Sequence, residues 1–240
     1  MSDCVIVALD VANRSELDRL LGHFTGLHPY VKVGMELFYQ QGPELVRDLK
    51  AEGFPVFLDL KLHDIPTTVH KAMRGLARLG VDMINVHAAG GKAMMRAAMR
   101  GLAEGVPLGK KPPLCLAVTQ LTSTDQAMLE SELLIDDALE KVVTSYAHNA
   151  YECGLDGVVC SPWEARAIKR ETNKTFVTVT PGIRLASDTA DDQKRIATPA
   201  AARKLGSDFI VVGRSITNAP DPRAAYESIL KEWSETDDKS

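Results

Sequence analysis

The sequence predicts an α/β fold, a closed (β/α)8 barrel of the TIM-barrel class that spans residues 1–240 as a single domain. Three observations predict it. Short apolar runs recur eight times, longer amphipathic segments separate them, and 240 residues is close to the roughly 250 that eight βα units require. A doubly wound open sheet is the main rival, but eight evenly spaced strands favour closure. No linker, low-complexity tract or shift in composition divides the chain.

The eight runs are mostly β-branched or apolar, which is typical of strands that are covered on both faces. They occupy residues 4–9, 30–33, 55–60, 83–86, 114–119, 157–160, 176–180 and 209–212. Between them, apolar residues at three- and four-residue spacing predict helices, for example over 13–24, 67–79, 92–103, 136–151 and 162–171. The polar tail 234–240 is expected to be frayed.

At three places a glycine, followed two residues later by an aspartate, separates a helical segment from the next run. The pairs are Gly80 and Asp82, Gly154 and Asp156, and Gly206 and Asp208. A glycine at this point fits the left-handed conformation that ends a helix before a short loop. Polar residues at strand starts are therefore expected to be structural, whereas those at the carboxyl ends of strands are candidates for the site.

The charge and composition exclude several classes of function. Lys and Arg number 28 against 32 Asp and Glu, which gives a net charge of −4, and a nucleic-acid-binding protein usually carries a basic excess. An aromatic content of 5% also disfavours a surface that stacks on bases. Ordinary proportions of hydrophobic and charged residues exclude a disordered or fibrous chain. We expect no nucleic-acid partner.

Cysteine usage and hydropathy bear on the compartment. The four cysteines, Cys4, Cys115, Cys153 and Cys160, form no CxxC pair, and three of them lie in apolar runs, as reduced core cysteines of a cytosolic protein do. No apolar stretch approaches the ~20 residues of a membrane span, and no positively charged leader precedes the first run. We expect a cytoplasmic protein without a membrane segment.

The third run ends in charged residues, at the edge where such barrels carry their sites. Because side chains alternate along a strand, Asp59 and Lys61 project to one side, and Leu60 and Leu62 to the other. Charges in a barrel mouth are costly to desolvate, so a functional role is favoured over a structural ion pair. Asp64 has two interpretations of equal weight, a site residue or the cap of the third helix, which starts with a proline.

Two further charges interrupt or end apolar runs. Lys32 lies inside the second run, and because a closed barrel has no edge at which a lysine can reach water, an inward functional role is favoured. Asp10 ends the first run. It is either a site residue or the cap of the first helix, although Asn13 and Ser15 are also available for that cap.

The loops after the seventh and eighth runs, 180–184 and 213–217, have the composition of a phosphate site. Barrels of this class often bind phosphate there through backbone N–H groups and a helix N-terminus. Arg184 and Arg214, one in each loop, add bidentate recognition of oxygens. The long polar stretch 185–196 is expected to form a mobile flap.

Several motifs are absent from the sequence. It contains no Walker A element, GxGxxG, HExxH or GxSxG. The six histidines are scattered without metal-ligand spacing, so no metal site is predicted. His87 ends the fourth run, and a hydrogen-bonded structural histidine is favoured there over a site residue.

The combination of these elements resembles the orotidine 5′-phosphate decarboxylase family. The resemblance rests on Asp10, Lys32 and residues 59–66, 121–123, 180–184, 192–195 and 212–216. These extend from the first strand to the eighth, so the resemblance covers nearly the whole chain. The DxKxxD element alone occurs in a wider group of phosphate-binding barrels, whereas the combination is specific. Thr67 departs from the family pattern, because bacterial relatives often carry asparagine there.

The resemblance implies cofactor-independent decarboxylation of orotidine 5′-phosphate to uridine 5′-phosphate and CO2, the last step of UMP biosynthesis. Lys61 is then the proton donor to C6 of the pyrimidine, in a charge network with Asp59 and Asp64. The resemblance also implies a homodimer in which Asp64, Ile65 and Thr68 reach into the partner subunit's site.

The same resemblance implies a role in binding substrate for the remaining candidates. Asp10 and Lys32 bind the ribose hydroxyls, Thr122 and Ser123 meet the base, Pro181 belongs to the same pocket, and Arg184, Gln193, Gly213 and Arg214 hold the phosphate. No cofactor and no metal is implied, and the partner is a small-molecule nucleotide.

Two alternatives stay open. A Mg²⁺-dependent sugar-phosphate decarboxylase of the same superfamily shares the DxKxxD element, but such relatives place a metal-binding carboxylate where Lys32 stands, and an ammonium repels a divalent ion. A non-catalytic nucleotide-binding barrel is the other alternative. It is disfavoured because every expected charged position is filled.

Overall fold

Eight parallel strands close into a barrel in the computed structural model, which describes residues 4–185 and 196–234. The strands are β1 (Val5–Ala8), β2 (Tyr30–Gly34), β3 (Val56–Leu62), β4 (Met83–His87), β5 (Leu114–Val118), β6 (Gly157–Val159), β7 (Val177–Thr180) and β8 (Phe209–Val212). Each strand pairs with the next, and β8 pairs with β1 through Ile210 and Val5. The predicted (β/α)8 barrel is confirmed, with each strand within two residues of its predicted bounds.

Helices follow the strands and cover the outside of the barrel. Those in the described residues are α1 (Arg14–Gly22), α2 (Met35–Ala51), α3 (Pro66–Leu76), α4 (Gly91–Gly105), α5 (Gln126–Ser131), α6 (Leu139–Glu152), α7 (Ala165–Glu171), α8 (Pro199–Leu205), α9 (Arg214–Thr217) and α10 (Pro222–Ser234). The predicted helix over 67–79 ends in a 3₁₀ turn, Ala77–Leu79, and the one over 162–171 begins with another, Pro162–Glu164. Among the described helices, none combines the length and the apolar character that crossing a bilayer requires.

Two predicted segments fall largely outside the described residues. The expected flap over 185–196 is described only at Leu185 and Ile196. The expected frayed tail starts at Ser234, which is instead the last residue of α10, and its other residues lie outside the described part.

The strands bury both faces, as their continuous apolar sequences require. Alternate residues fill the barrel interior: Ile6, Ala8, Tyr30, Phe57, Met83, Leu116, Val179 and Val211. The other face of each strand packs against the helices. Leu58 and Leu60 lie in that outer layer and Leu62 packs against it, whereas Phe57 lies inside. The alternation predicted for β3 is therefore confirmed. It directs Asp59, which follows Leu58, toward the interior.

Aspartates at the amino-terminal end of the barrel bind backbone groups of neighbouring strands. We call Asp82, Asp156 and Asp208 the amino-end carboxylates. They accept backbone N–H bonds from Val56, Cys115 and Thr178 at 2.7, 2.8 and 2.7 Å. The glycines that precede them, Gly80, Gly154 and Gly206, have φ of 71°, 79° and 101°, the left-handed conformation predicted for helix ends. The structural role expected for polar residues at strand starts is confirmed here.

Candidate active site

Four side chains of alternating charge form a row at the carboxyl-terminal mouth of the barrel. We call Asp10, Lys32, Asp59 and Lys61 the charge row. Lys32 Nζ lies 3.0 Å from Asp10 Oδ1 and 3.6 Å from Asp59 Oδ2, and Lys61 Nζ lies 2.8 Å from Asp59 Oδ1. The strand ends thus bring together four residues that the sequence singled out separately.

The two central members of the row are buried. Lys32 projects from β2 and Asp59 from the neighbouring β3, and each residue is only 9% exposed. Burial raises the pKa of Asp59, but the charges of Lys32 and Lys61, with hydrogen bonds from Lys61 and Asn85, outweigh it and lower that pKa below its ordinary value. The carboxylate therefore stays ionised, and it holds both ammonium groups in place.

The cap interpretation of Asp10 is wrong. Asn13 is the N-cap of α1, because its side chain accepts the backbone N–H of Glu16 at 3.0 Å. Asp10 is left to pair with Lys32 across the mouth. Gly34 makes room for this pair, since a Cβ at that position would lie 3.2 Å from Lys32 Nζ.

Lys61 occupies an irregular point of β3. Its φ is +50°, an uncommon conformation for a residue with a side chain. Along β3 the register runs from Leu58 to Leu62 while β4 advances only from Ile84 to Val86, so β3 carries a bulge here. Strict alternation predicted the side of Lys61, but nothing in the sequence predicted the bulge.

Asn85 is a site residue that sequence reasoning missed. It is fully buried in β4, its Nδ2 donates to Asp59 Oδ1 at 2.6 Å, and its Oδ1 accepts the backbone N–H of Lys61 at 2.7 Å. The available signal was a lone polar residue within the fourth apolar run, the same signal that identified Lys32 in the second.

A cavity of about 250 Å³ opens beside the charge row. Its lining consists of Lys32, Phe57, Asp59, Lys61, Val118, Gln120, Leu121, Thr122, Ser123, Val159, Cys160, Pro181 and Val211. The structure thus places Thr122, Ser123 and Pro181 in one pocket with Lys32, Asp59 and Lys61. The lining combines apolar side chains, such as Phe57 and Val211, with polar ones, which suits a flat heterocycle with hydrogen-bonding edges.

A second cavity, of about 200 Å³, shares Lys32, Asp59 and Lys61 with the first. It adds Asp10 and Gly34 to the lining. Lys32, Asp59 and Lys61 therefore line both spaces, the apolar pocket and a second one toward β1 and β2.

Two residues of the DxKxxD element, Asp59 and Lys61, belong to the charge row, whereas the third, Asp64, lies on the outside of the molecule. Asp64, Ile65 and Thr68 are exposed, and Ile65 is 66% accessible to solvent. Within the described residues Asp64 forms no ion pair with Lys61, and its Oδ1 accepts the backbone N–H of Ile65 at 2.6 Å. The N-cap of α3 is Ile65, without a side-chain cap, so the cap interpretation of Asp64 is wrong.

The predicted phosphate residues lie on two loops at the same end of the barrel. Gly213 is the N-cap of α9, and a Cβ there would lie 3.8 Å from Asp10 Oδ2, which places this loop beside the charge row. Arg214 is exposed, and Arg184 is half-buried with its guanidinium bonded to the Ile183 carbonyl. Gln193 lies outside the described residues. A β-bridge between Ile183 and Ala197 brings together the chain on either side of that segment.

Two histidines stack near Lys61. The rings of His63 and His87 lie 5.4 Å apart and nearly parallel, and His87 Nδ1 accepts the backbone N–H of Ala89 at 3.3 Å, the hydrogen-bonded role expected of it. Burial, followed by the charges of His63 and Lys61, lowers the pKa of His87. Among residues 4–185 and 196–234, no group of three or more His, Cys, Asp or Glu side chains is arranged to hold a metal ion.

The chain is similar to known proteins over nearly its whole length. The model of the Orotidine 5'-phosphate decarboxylase / HUMPS family matches residues 3–229. The chain belongs to this family. It is 56% identical over 233 residues to the orotidine 5'-phosphate decarboxylase of Bacillus cereus (strain B4264), covering 97% of this chain and 98% of that one. The Bacillus cytotoxicus enzyme of the same name is 55% identical with the same coverage.

Solved structures of related proteins have the same fold. An uncharacterized conserved protein from Geobacillus kaustophilus superposes with a TM-score of 0.87 at 52% identity, over 96% of this chain and 100% of that one. Orotidine 5'-phosphate decarboxylase from Lactobacillus acidophilus gives a TM-score of 0.86 at 42% identity, over 97% and 99% of the two chains. The family and the barrel are thereby both shown.

Proposed function

We propose that this chain decarboxylates orotidine 5′-phosphate to uridine 5′-phosphate and CO2 without a cofactor, as the last step of UMP biosynthesis. Membership of the family supports this proposal, and the observation that carries it is the charge row beside an apolar pocket. Lys61 Nζ lies at the edge of that pocket, 2.8 Å from a buried carboxylate. This arrangement presents a fixed cation to a neutral ring.

The chemistry explains why a fixed cation is needed. When the bond between C6 and the carboxylate breaks, CO2 leaves and the electron pair stays on C6, in an orbital that the ring π system does not delocalise. A cation that is already oriented stabilises this charge without reorganisation of the site. Lys61 then transfers a proton to C6 and regains one from solvent. Both tasks, stabilising the charge on C6 and protonating it, require Lys61 Nζ to be held beside C6.

Asp59 gives Lys61 that position. Its Oδ1 binds the Lys61 ammonium at 2.8 Å, and its buried charge anchors that ammonium at the edge of the pocket. Asp10 and Lys32, on the side of the row toward β1 and β2, bind the ribose hydroxyls. Thr122 and Ser123 bind the edge of the base, and Pro181 bounds the pocket.

The phosphate is held by Arg184, Gln193, Gly213 and Arg214. Gly213 opens a loop near Asp10, so a ribose bound by Asp10 has its 5′-phosphate within reach of that loop. The phosphate is remote from the bond that breaks. Its binding energy is therefore available to close the site and to exclude water.

The whole chain acts as a single domain, and two copies form a homodimer. Asp64, Ile65 and Thr68 extend into the partner subunit's site, where Asp64 joins the network of Asp59 and Lys61. Two features support this arrangement: Ile65 is apolar yet 66% exposed, and Asp64 is exposed without a cation among the described residues. None of Cys4, Cys115, Cys153 and Cys160 forms a disulfide, which suits the reducing cytoplasm.

An ultraviolet assay of orotidine 5′-phosphate tests the reaction. Purified protein is expected to consume the substrate at the same rate with and without EDTA, because Lys32 stands between two carboxylates where a divalent ion would have to bind. Activity lost with EDTA and restored by Mg²⁺ would favour the sugar-phosphate decarboxylase alternative. Binding of the nucleotide without any loss of absorbance would favour a non-catalytic barrel.

Subunit mixing tests the shared site. Asp64→Ala and Lys61→Ala are each expected to be inactive, whereas a mixed dimer has one site with both residues intact. After random exchange, half of the dimers are mixed, so about a quarter of the wild-type activity should return. No recovery, despite subunit exchange verified by native mass spectrometry, would contradict the sharing of Asp64.

A further inference from the structure

Asn85, on β4, bonds to both Asp59 and Lys61, the ion pair on the neighbouring strand β3. Its Nδ2 donates to Asp59 Oδ1 at 2.6 Å, the oxygen that also binds Lys61 Nζ at 2.8 Å. Its Oδ1 accepts the backbone N–H of Lys61 at 2.7 Å. One buried amide therefore contacts the side chain of one partner and the main chain of the other.

The bulge explains why the main chain of Lys61 needs this contact. Between Leu58 and Leu62 the pairing of β3 with β4 is irregular, and Lys61 has a φ of +50°. A backbone N–H at such a point loses its usual ladder partner, and leaving it unpaired when buried is unfavourable. Asn85 supplies the missing acceptor from β4, and this bond holds the bulge in its observed conformation.

We propose that Asn85 is a positioning residue, which fixes the Lys61 main chain and the Asp59 carboxylate relative to each other and so sets the position of the Lys61 ammonium. This inference rests on the proposed decarboxylase function. Asn85 stands outside the lining of the 250 Å³ cavity, so it acts through its two partners. A displacement of about 1 Å in a reacting group can lower turnover about 100-fold.

The chemistry of the two bonds requires an amide. Lys61 N–H needs an acceptor and Asp59 needs a donor, and an amide offers both from one planar group. Leucine has a similar size and offers neither. An ionised carboxyl group offers only acceptors, whereas a protonated one has one donor and one acceptor and so imitates the amide.

This difference gives Asn85→Asp a specific pH signature. Its new carboxyl group faces Asp59, and two carboxylates at hydrogen-bond distance cannot both be ionised at low cost, so the pKa of the pair is raised. Below that raised pKa the protonated group donates to Asp59 as the amide does. Above it, the donor is lost and the two charges repel, so kcat should fall about tenfold per pH unit relative to the wild type.

Asn85→Leu removes both bonds, and we expect kcat to fall about 10- to 100-fold, with KM changed by less than about threefold, because the lost bonds hold the reacting groups. Thr178→Val is the matched control. Thr178 is also fully buried, and its Oγ1 bonds to the Gly206 carbonyl and Asp208 at the other end of the barrel. It should lower the free energy of unfolding and leave kcat unchanged.

The experiment is a pH profile of kcat from pH 5 to pH 9 for the wild type and these three variants, with a ¹³C NMR titration of Asp59 in the wild type and Asn85→Leu. The NMR titration needs no substrate, and it should show a higher pKa for Asp59 in the variant. A wild type without turnover would contradict the proposed function alone. The role of Asn85 would be overturned if the pH profile of kcat for Asn85→Asp ran parallel to that of the wild type. It would also be overturned if the pKa of Asp59 in Asn85→Leu equalled that in the wild type.

Discussion

The two ends of the barrel use aspartates in different ways. At the amino-terminal end, Asp82, Asp156 and Asp208 each accept a backbone N–H from an adjacent strand. At the mouth, and within the described residues, Asp10 and Asp59 bind only side-chain groups. Both ends also pair aspartate with lysine, as in Asp208 with Lys169 at 2.8 Å. The residue types are the same, but the bonding partners differ.

This difference separates stability from function. A backbone N–H that opens a strand must be satisfied in the folded chain, so the carboxylate that accepts it is committed to the fold. A lysine ammonium can turn toward a substrate oxygen or transfer a proton. The amino-end carboxylates should therefore affect stability, and the charge row should affect turnover.

The largest contrast is expected from the same substitution at each end. Asp59→Asn removes the charge that anchors Lys61, and kcat should fall about 100- to 1000-fold. Asp208→Asn leaves kcat unchanged but lowers the free energy of unfolding by about 1–2 kcal/mol, because Thr178 N–H and Lys169 lose a charged acceptor. Steady-state kinetics and urea denaturation measure the two effects. Equal losses of activity in both variants would remove the distinction between the ends.

A smaller effect is expected in the dependence of stability on pH. The pKa of Asp59 in the folded protein lies below its ordinary value of 3.8, so the unfolded chain binds more protons in the interval between the two values. The stability that Asp59 contributes is complete above about pH 4 and is lost as the pH falls through the lowered pKa. The free energy of unfolding between pH 6 and pH 3 should fall more steeply in the wild type than in Asp59→Asn. Identical slopes would mean that folding does not lower the pKa of Asp59.

The smallest effect is expected at Gly34. Gly34→Ala places a Cβ 3.2 Å from Lys32 Nζ, which must shift within the row, and we expect KM for orotidine 5′-phosphate to rise about threefold to tenfold. Gly22→Ala is the control, since a Cβ at that position has no neighbour within 4 Å. Michaelis kinetics of both variants provide the test. A KM unchanged by Gly34→Ala would show that the row tolerates displacement of Lys32.

The fold could be predicted from the sequence for two reasons. The local spacing of apolar residues indicates the strands and helices, and the chain length fits eight βα units. The apolar runs gave every strand to within two residues, and the alternation of side chains placed Asp59 on the interior side. Asp10 and Lys32 could each be identified from the sequence as candidate site residues, but their pairing at 3.0 Å is seen only in the folded chain.

The rest of the site depends on contacts that periodicity does not encode. The bulge at Lys61 arises from the register of β3 against β4, and its acceptor, Asn85, lies 24 residues along the chain. Two cap interpretations were left open for a similar reason, since Asp10 and Asp64 are local candidates for caps and only the folded chain decides their partners. In the folded chain Asp10 pairs with Lys32, which lies on β2.

The most direct test of the account compares two lysines that each bind a carboxylate, Lys61 at the mouth and Lys169 at the other end. Turnover of orotidine 5′-phosphate by Lys61→Ala and Lys169→Ala is measured beside binding of uridine 5′-phosphate by calorimetry. We predict that Lys61→Ala loses turnover, by about 10⁴-fold or more, while it still binds the nucleotide, and that Lys169→Ala keeps both turnover and binding. Normal turnover by Lys61→Ala would contradict it.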